Sequence, residues 1–340
     1  MKQSTPIKAQ RTYRWLIHLL LAVFLANATN KFFIGDLDYE RDHRFYEKIF
    51  AFEGEAPDQY RILPLLGIKA VRTVLRLGMA DAPFNHAVLL FNFICGFLLF
   101  ELFFYLLNHR PERDRYLFNF GFAILYIYTQ YTGWRPDTLG LLIVGTALIA
   151  GLFKLRPGTP SWTIFATTGL LVLAFCRSDI AAIYAVFIAW TAIKGWPLRL
   201  ALIGLPFAVQ AFLQFYLFAD ATYYTKPVMI WDNLGGYHLA KNPATWLLAA
   251  FLLYNAKHLI HYIRASYRQV PVFYWLLAFY LVLVLFVGRL NEYRLYLPFL
   301  PLWMVVDNQL LKTSKYDQTS PTTDSGSLPT GRLWNRAPNE

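Results

Sequence analysis

Long apolar runs that carry almost no charge recur along nearly the whole chain, and they constrain the fold more than any other feature. Of the 340 residues, 56% are hydrophobic and only 16% are charged. An ordinary soluble domain has about a quarter of its residues charged. Because an α-helix needs roughly 20 apolar residues to cross a bilayer, the runs predict an all-α, polytopic helical membrane protein.

The runs predict about ten transmembrane helices in a single transmembrane domain over residues 1–312. The predicted spans are 15–34, 84–108, 116–134, 137–153, 160–176, 179–194, 199–218, 243–256, 272–288 and 295–311. The eighth span is short, and we expect it to continue toward His261. The tail, 313–340, is rich in Ser, Thr, Pro, Asp and Gly, so it is expected to be disordered.

Basic residues orient these spans. The segments that would lie on the N-terminal side carry 16 Lys and Arg against two acidic residues, whereas residues 35–60 carry eight acidic residues against three basic ones. The positive-inside rule therefore predicts cytoplasmic N- and C-termini, with residues 35–83 forming the first outer loop. Ala26-Asn27-Ala28 fits a signal-peptidase pattern, but the length of the first run favours an uncleaved signal anchor. The expected location is a bacterial inner membrane.

Charge and cysteine content exclude two other classes of function. The net charge of +11 has no basic stripe of the kind that binds nucleic acid, so no nucleic-acid partner is expected. The two cysteines, Cys95 and Cys176, both lie in apolar runs and provide neither a disulfide framework nor metal-ligand spacing.

Residues 61–78 carry too many basic residues to span the membrane. On a helical wheel, one narrow arc contains Arg61, Lys69, Arg72 and Arg76, and the opposite side contains Leu63, Leu66, Val74 and Leu77. This pattern predicts an amphipathic helix in the outer interface. Its basic face either belongs to a simple membrane anchor or meets lipid phosphates.

Short motifs of opposite charge collect at the predicted outer connections. They contain Asp36, Asp38, Tyr60, Arg61, Arg135, Asp137, Arg177, Asp179, Arg289, Glu292 and Arg294. Arg177 and Asp179 either simply pair with each other or line a recessed outer cavity with the other groups. Such a cavity would suit a lipid phosphate, because arginine binds phosphate bidentately and a nearby carboxylate can act as a general base.

The exit motif Asp36-x-Asp38, the long first loop with its amphipathic helix, and the later motifs "RPD" and "NEYRLYLPFLP" resemble the GT-C superfamily. Members of that superfamily are polytopic glycosyltransferases that use polyprenyl-phosphate-linked sugars. The resemblance implies that Asp36 or Asp38 is the catalytic base and that the amphipathic helix and the later arginines hold the lipid phosphate.

The resemblance also implies the reaction and its partners. A sugar would pass from a polyprenyl-phosphate donor, in contact with membrane lipids, to a hydroxyl of a glycan, lipid or protein acceptor at the outer face. No cofactor beyond the donor is expected. No metal ligand is assigned, although paired carboxylates leave a divalent ion open.

Two alternatives remain open. A transporter or lipid flippase would place ionisable groups near the midplane, and the third to ninth predicted spans carry essentially none. A non-catalytic relative would keep the fold without the chemistry. Of the polar residues inside spans, we expect His18 to be an interhelical hydrogen-bonding group, and Gln210 and Gln214 to contribute to helix packing.

Overall fold

The structure is a computed structural model that describes residues 7–33, 61–78, 84–130, 138–219, 252–287 and 295–319, together with Lys48, Trp246 and Ala250. These residues are almost entirely helical and include no strand. The helices are α1 (Ile7–Phe33), α2 (Ile62–Gly78), α3 (Phe84–Leu106), α4 (Glu112–Gln130), α5 (Thr138–Leu152), α6 (Pro160–Ala192), α7 (Trp196–Phe212), α8 (Ala256–Gln269), α9 (Pro271–Val287) and α10 (Leu300–Thr319). A π-helical turn, Leu213–Leu217, extends α7, and a 3₁₀ turn, Leu297–Phe299, precedes α10.

Three of these helices are long and apolar enough to cross a membrane, by length and composition: α3, α6, and α7 with its π-helical extension. A fourth is reached if α8 and α9, which are bent by 114° at Val270, are counted as one broken span. The sequence-based class of helical membrane protein agrees with this result. Helices also occupy most of the described residues within the predicted spans 15–34, 116–134, 137–153 and 295–311, while the number ten stays a prediction.

Helix α6 contains a break at the position where the sequence predicts a connection between two spans. Arg177 has extended backbone angles, φ −170° and ψ 105°, inside the otherwise helical segment. A Cβ on Gly169 would contact Leu148, and one on Gly145 would contact Tyr184. Gly145 and Leu148 are only about 4.5 Å apart along α5, so the residues that contact them, Tyr184 and Gly169, must also lie close together. In a straight helix Gly169 and Tyr184 would be about 22 Å apart. The chain therefore turns back at Arg177, and the arms 160–176 and 178–192 lie side by side.

The two arms of α6 form the centre of the bundle and pack against α5 and α7. Their largest buried side chains are Trp162, Tyr184 and Phe187. Close approach to α5 requires small residues, because a Cβ on Gly151 would lie 2.2 Å from the Phe165 ring. Glycine at such positions lets helix backbones come close together, which is how transmembrane helices commonly associate.

The end of the bundle opposite Arg177 contains a buried polar cluster between α1, α3 and α4. The His18 Nδ1 atom lies 2.7 Å from Glu101, the Asn119 amide lies 3.1 Å from His18 Nε2, and Arg14 pairs with Glu101 at 3.2 Å. Since His18 Nε2 accepts a hydrogen bond from the Asn119 amide, Nδ1 is the donor of the hydrogen bond to the Glu101 carboxylate. His18 is therefore an interhelical hydrogen-bonding group, as the sequence predicts.

A second buried cluster at that end surrounds Asp307 of α10. Its carboxylate is fully buried and accepts hydrogen bonds from His109 at 2.9 Å and from Arg110 at 3.0 and 2.5 Å. The Tyr262 hydroxyl of α8 donates to the same carboxylate at 3.4 Å. Asp307 thus holds the α3–α4 connection and α8 against α10. Helix α10 itself continues to Thr319, beyond the predicted start of the tail at 313.

Helix α2 forms where the sequence predicts an amphipathic helix, and part of its basic arc lies on the side that packs against other helices. The buried residues are Pro64, Leu65 and Ile68, whereas Val74 and Leu77 are exposed. Around the helix, Leu65 and Ile68 flank the arc that contains Arg61 and Arg72. Those two arginines therefore lie on the side that packs against the bundle, and the Arg72 guanidinium lies 5.9 Å from the Phe84 ring. The interfacial position of α2 stays a prediction.

Residues 257–271 are helical for most of their length. They form most of helix α8, which begins after a turn at Asn255 and ends at Gln269. Helix α8 includes His261 and makes an angle of 114° with the following helix, and the continuation of the eighth span toward His261 stays a prediction. The rest of the predicted span 243–256 falls largely outside the residues that the structure describes.

Candidate functional site

Three of the predicted site residues lie in the described part of the chain, and the structure brings them together. They are Arg61, Arg177 and Asp179. The other predicted site residues lie outside the described residues: Asp36, Asp38, Tyr60, Arg135, Asp137, Arg289, Glu292 and Arg294.

The centre of the site is the pair between Arg177 and Asp179 at the break in α6. Arg177 Nε donates to one carboxylate oxygen and Nη2 to the other, each at 2.9 Å. This bidentate geometry is the strong form of an arginine–carboxylate interaction. The Arg177 side chain is 15% exposed and that of Asp179 is 40% exposed. Of the two alternatives for Arg177 and Asp179, the structure shows that they pair with each other, and the pair remains open on the Asp179 side.

Tyr280 of α9 adds a third contact to Arg177. Its hydroxyl accepts a hydrogen bond from Arg177 Nη2 at 3.1 Å, and its ring lies 5.2 Å from Phe299 and 6.5 Å from Tyr296. Tyr280 is 1% exposed. Sequence reasoning missed this residue because Tyr280 lies inside an apolar run, where nothing distinguishes a functional tyrosine from a packing one.

Arg61 approaches the pair from the start of α2. It is close enough to Asp179 and to the Tyr280 hydroxyl to interact electrostatically with both. Two guanidinium groups from segments more than a hundred residues apart thus act on one carboxylate. The position of Arg61 on the packed side of α2 is what brings it to the break in α6.

Ser178 and Gln210 connect the break in α6 to α7. The Ser178 hydroxyl donates a hydrogen bond to the Gln210 side-chain oxygen. The sequence predicts Gln210 as a packing residue, and its contact with the break at Arg177 adds a more specific role. Gln210 lies three residues before the π-helical turn Leu213–Leu217. Such turns are frequent near functional sites.

An apolar groove of about 530 Å³ opens beside these polar groups. It is lined by Ile62, Leu63, Leu66, Phe175, Leu217 and Phe218. Ile62 directly follows Arg61, and Phe175 lies two residues before Arg177. The groove is therefore lined by sequence neighbours of the two arginines, and an apolar chain lying in it would run beside the segments that carry them.

The arrangement suits binding of an amphiphilic anion better than acid–base chemistry. Arginine presents several donors in a planar fork that matches phosphate oxygens. Asp179 is already engaged by the Arg177 fork, so it serves as the orienting partner of Arg177 and not as a free base. Within the described ranges, no group of three or more His, Cys, Asp or Glu residues could hold a metal ion.

Comparisons of the chain with protein-family models, with curated proteins and with solved structures find no match.

Proposed function

We propose that this protein is a membrane glycosyltransferase that moves a sugar from a polyprenyl-phosphate donor to an acceptor hydroxyl at the outer face of the membrane. The observation that carries this proposal is the juxtaposition of Arg61, Arg177 and the apolar groove. A polyprenyl phosphate has the matching composition, with a long apolar chain and an anionic head.

The position of the arginines supports their role toward a phosphate. Arg177 is held by Asp179 and Tyr280, so its guanidinium is oriented before a ligand arrives. A donor fixed in advance costs little reorganisation when negative charge develops on the leaving phosphate. Arg61, at the start of α2, would guide the head group toward Arg177.

The groove supports entry of the donor from the bilayer. Two of its lining residues, Leu66 and Leu217, are exposed on the outside of the protein. A lipid tail could therefore enter sideways while its head group stays among the arginines. Burying apolar chain there contributes about 0.8 kcal/mol for each methylene removed from water, although the gain is smaller for a lipid that leaves the bilayer.

The chemical step is assigned to residues outside the described part of the chain. Asp36 or Asp38 would take the proton from the acceptor hydroxyl, since Asp179 is committed to Arg177. The sugar–phosphate bond would break as the acceptor oxygen attacks the sugar carbon. The phosphate would leave with its electron pair, stabilised by the arginines.

Binding of a long-chain polyprenyl phosphate to the purified protein tests the site apart from catalysis. We expect saturable binding that a polyprenol of the same length, which lacks the phosphate, does not reproduce. Arg61→Gln removes a positive charge, and Arg177→Lys removes the planar guanidinium that Asp179 and Tyr280 orient, so each should weaken binding about tenfold or more.

Arg113→Lys is the matched control, because Arg113 is 86% exposed and lies near the opposite end of the bundle. It should bind polyprenyl phosphate like the wild type. Equal binding of polyprenol and polyprenyl phosphate would contradict the assignment of the arginines. Binding with no sugar transfer from any lipid-linked donor would favour a flippase or a non-catalytic role.

A further inference from the structure

Helix α8 carries three distinct faces along its length. Tyr262, Ser266 and Gln269 lie on the face toward the bundle and are at least partly buried. A second face is apolar and exposed, with Leu259, Ile260, Ile263 and Tyr267 between 37% and 49% accessible. A third face is basic and exposed, with Lys257, His261, Arg264 and Arg268 at helical spacing. The helix therefore has a packed face, an uncovered apolar stripe and a cationic stripe.

Hydrogen bonds fix α8 on the bundle by its packed face. The Tyr262 hydroxyl donates to the buried Asp307 carboxylate at 3.4 Å. Across the bend, the Ser266 and Tyr274 hydroxyls share a hydrogen bond, and the Tyr267 ring lies 5.8 Å from that of Tyr274. The other two faces are consequently presented outward in a defined orientation.

The bend sets how α8 lies relative to a membrane. The helix is turned by 114° from α9, which is 24° past a right angle. If α9 crosses the bilayer, α8 lies close to the membrane plane. A helix in that plane buries an apolar stripe at the boundary between head groups and acyl chains, while its basic residues stay at head-group level.

The basic stripe has no acidic partner among the residues that the structure describes. Lys257, Arg264 and Arg268 make no salt bridge there, and α8 itself contains no acidic residue. Basic side chains beside a membrane attract anionic lipids, each contributing a factor of about five. Charge complementarity therefore selects an anionic head group over a zwitterionic one.

We propose that α8 is an interfacial helix that binds the head groups of anionic phospholipids through Lys257, Arg264 and Arg268. The site lies at the end of the bundle opposite Arg177, so it is separate from the proposed donor site. Its ligand is a bilayer lipid, and the binding involves no sugar transfer.

Local lipid quenching tests this inference on the full chain. Ile260→Cys places a label on the exposed apolar stripe, and the native Cys95 and Cys176 are only 6% and 2% accessible, which confines labelling to the new site. The labelled protein is reconstituted in nanodiscs that contain either doxyl-labelled phosphatidylglycerol or doxyl-labelled phosphatidylcholine. We expect phosphatidylglycerol to quench the fluorophore about threefold or more better than phosphatidylcholine at equal mole fraction.

Two triple variants, built on the labelled background, decide the role of the cations. Lys257→Gln with Arg264→Gln and Arg268→Gln should bring the quenching ratio close to one. Arg113→Gln with Arg156→Gln and Lys194→Gln removes the same charge from other segments at this end of the bundle and should leave the ratio unchanged. Absence of quenching by either lipid, equal quenching by both, or a preference that survives the first triple variant would each overturn the proposal.

Discussion

Replacing Gly145 by alanine should destabilise the protein, although alanine is the better helix former. A Cβ at Gly145 would lie 2.7 Å from the Tyr184 hydroxyl and 3.1 Å from the ring carbon that carries it. Tyr184 is 1% exposed, and its hydroxyl donates to the Pro298 carbonyl at 2.8 Å. The added methyl group must push this side chain away from its hydrogen-bond partner.

The expected magnitude combines three effects. Overpacking of a close helix contact costs about 1 to 3 kcal/mol, and loss of the Tyr184–Pro298 hydrogen bond adds about 1 kcal/mol. The higher helix propensity of alanine returns up to about 1 kcal/mol. We therefore expect Gly145→Ala to lower the free energy of unfolding by about 1 to 4 kcal/mol.

The matched control is Gly121→Ala in α4. Gly121 is exposed, and a Cβ there would meet nothing within 4 Å. Only the propensity effect remains, so this variant should be more stable than the wild type by about 0.5 to 1 kcal/mol. The same chemical change thus has opposite signs at two helical glycines.

Unfolding in mixed micelles with increasing fractions of sodium dodecyl sulfate, followed by circular dichroism, measures both variants. A second substitution, Tyr184→Phe, removes the atom nearest to the new methyl group and should reduce the cost of Gly145→Ala in the double variant. If Gly145→Ala is as stabilising as Gly121→Ala, Tyr184 does not lie against α5. The chain would then not turn back at Arg177, and the geometry of the site would be wrong.

Three further predictions concern other parts of the molecule. Asp307→Asn should lower the free energy of unfolding by about 2 to 4 kcal/mol, because it leaves the Arg110 guanidinium without its buried carboxylate partner. Arg113→Gln, at an exposed pair, should change the free energy of unfolding by less than about 0.5 kcal/mol. The micelle titration measures both variants, and equal effects would contradict the role of Asp307. Asp36→Asn or Asp38→Asn should abolish transfer seen by mass spectrometry of envelope glycans while the protein stays inserted, and full activity of both would reduce that stretch to a solvated loop. Alkaline phosphatase fused after Glu55 should be active and fused after Pro111 inactive, and the reverse pattern would invert the topology.

Sequence reasoning located most helices because hydropathy is a local property of the chain. The apolar runs correspond closely to α3, α5 and α9, and the two spans predicted around Arg177 correspond to the two arms of α6. A helix was predicted in this region only as far as His261, and the rest of α8 was missed because it is short and polar. Its signal was nevertheless present, since Lys257, Arg264 and Arg268 recur at helical spacing.

The candidate site was less predictable because its contacts join distant segments. Arg177 and Asp179 are two residues apart, so their pairing was a natural expectation, but the contact between Arg177 and Tyr280 joins residues 103 positions apart. The inward direction of Arg61 depends on which face of α2 packs against the bundle, and the helical wheel alone does not show that Leu65 and Ile68, which flank Arg61 and Arg72, are buried. Both features depend on contacts between distant segments, and the local periodicity of the sequence does not report such contacts.

Sugar transfer by the purified protein most directly tests the proposed phosphate site. The wild type and its variants are reconstituted in liposomes with a polyprenyl-phosphate-linked labelled sugar, with envelope extract as the source of acceptor. We predict that the wild type transfers the sugar and that Arg113→Lys does so at a near-normal rate. Arg177→Lys should lower the transfer rate about 100- to 1000-fold, as does removal of one well-placed donor to a developing anion. Arg61→Gln should mainly raise the Michaelis constant for the donor. Absence of transfer by the wild type, or equal tolerance of substitution at Arg177 and Arg113, would contradict the assignment of this site to a lipid-linked sugar donor.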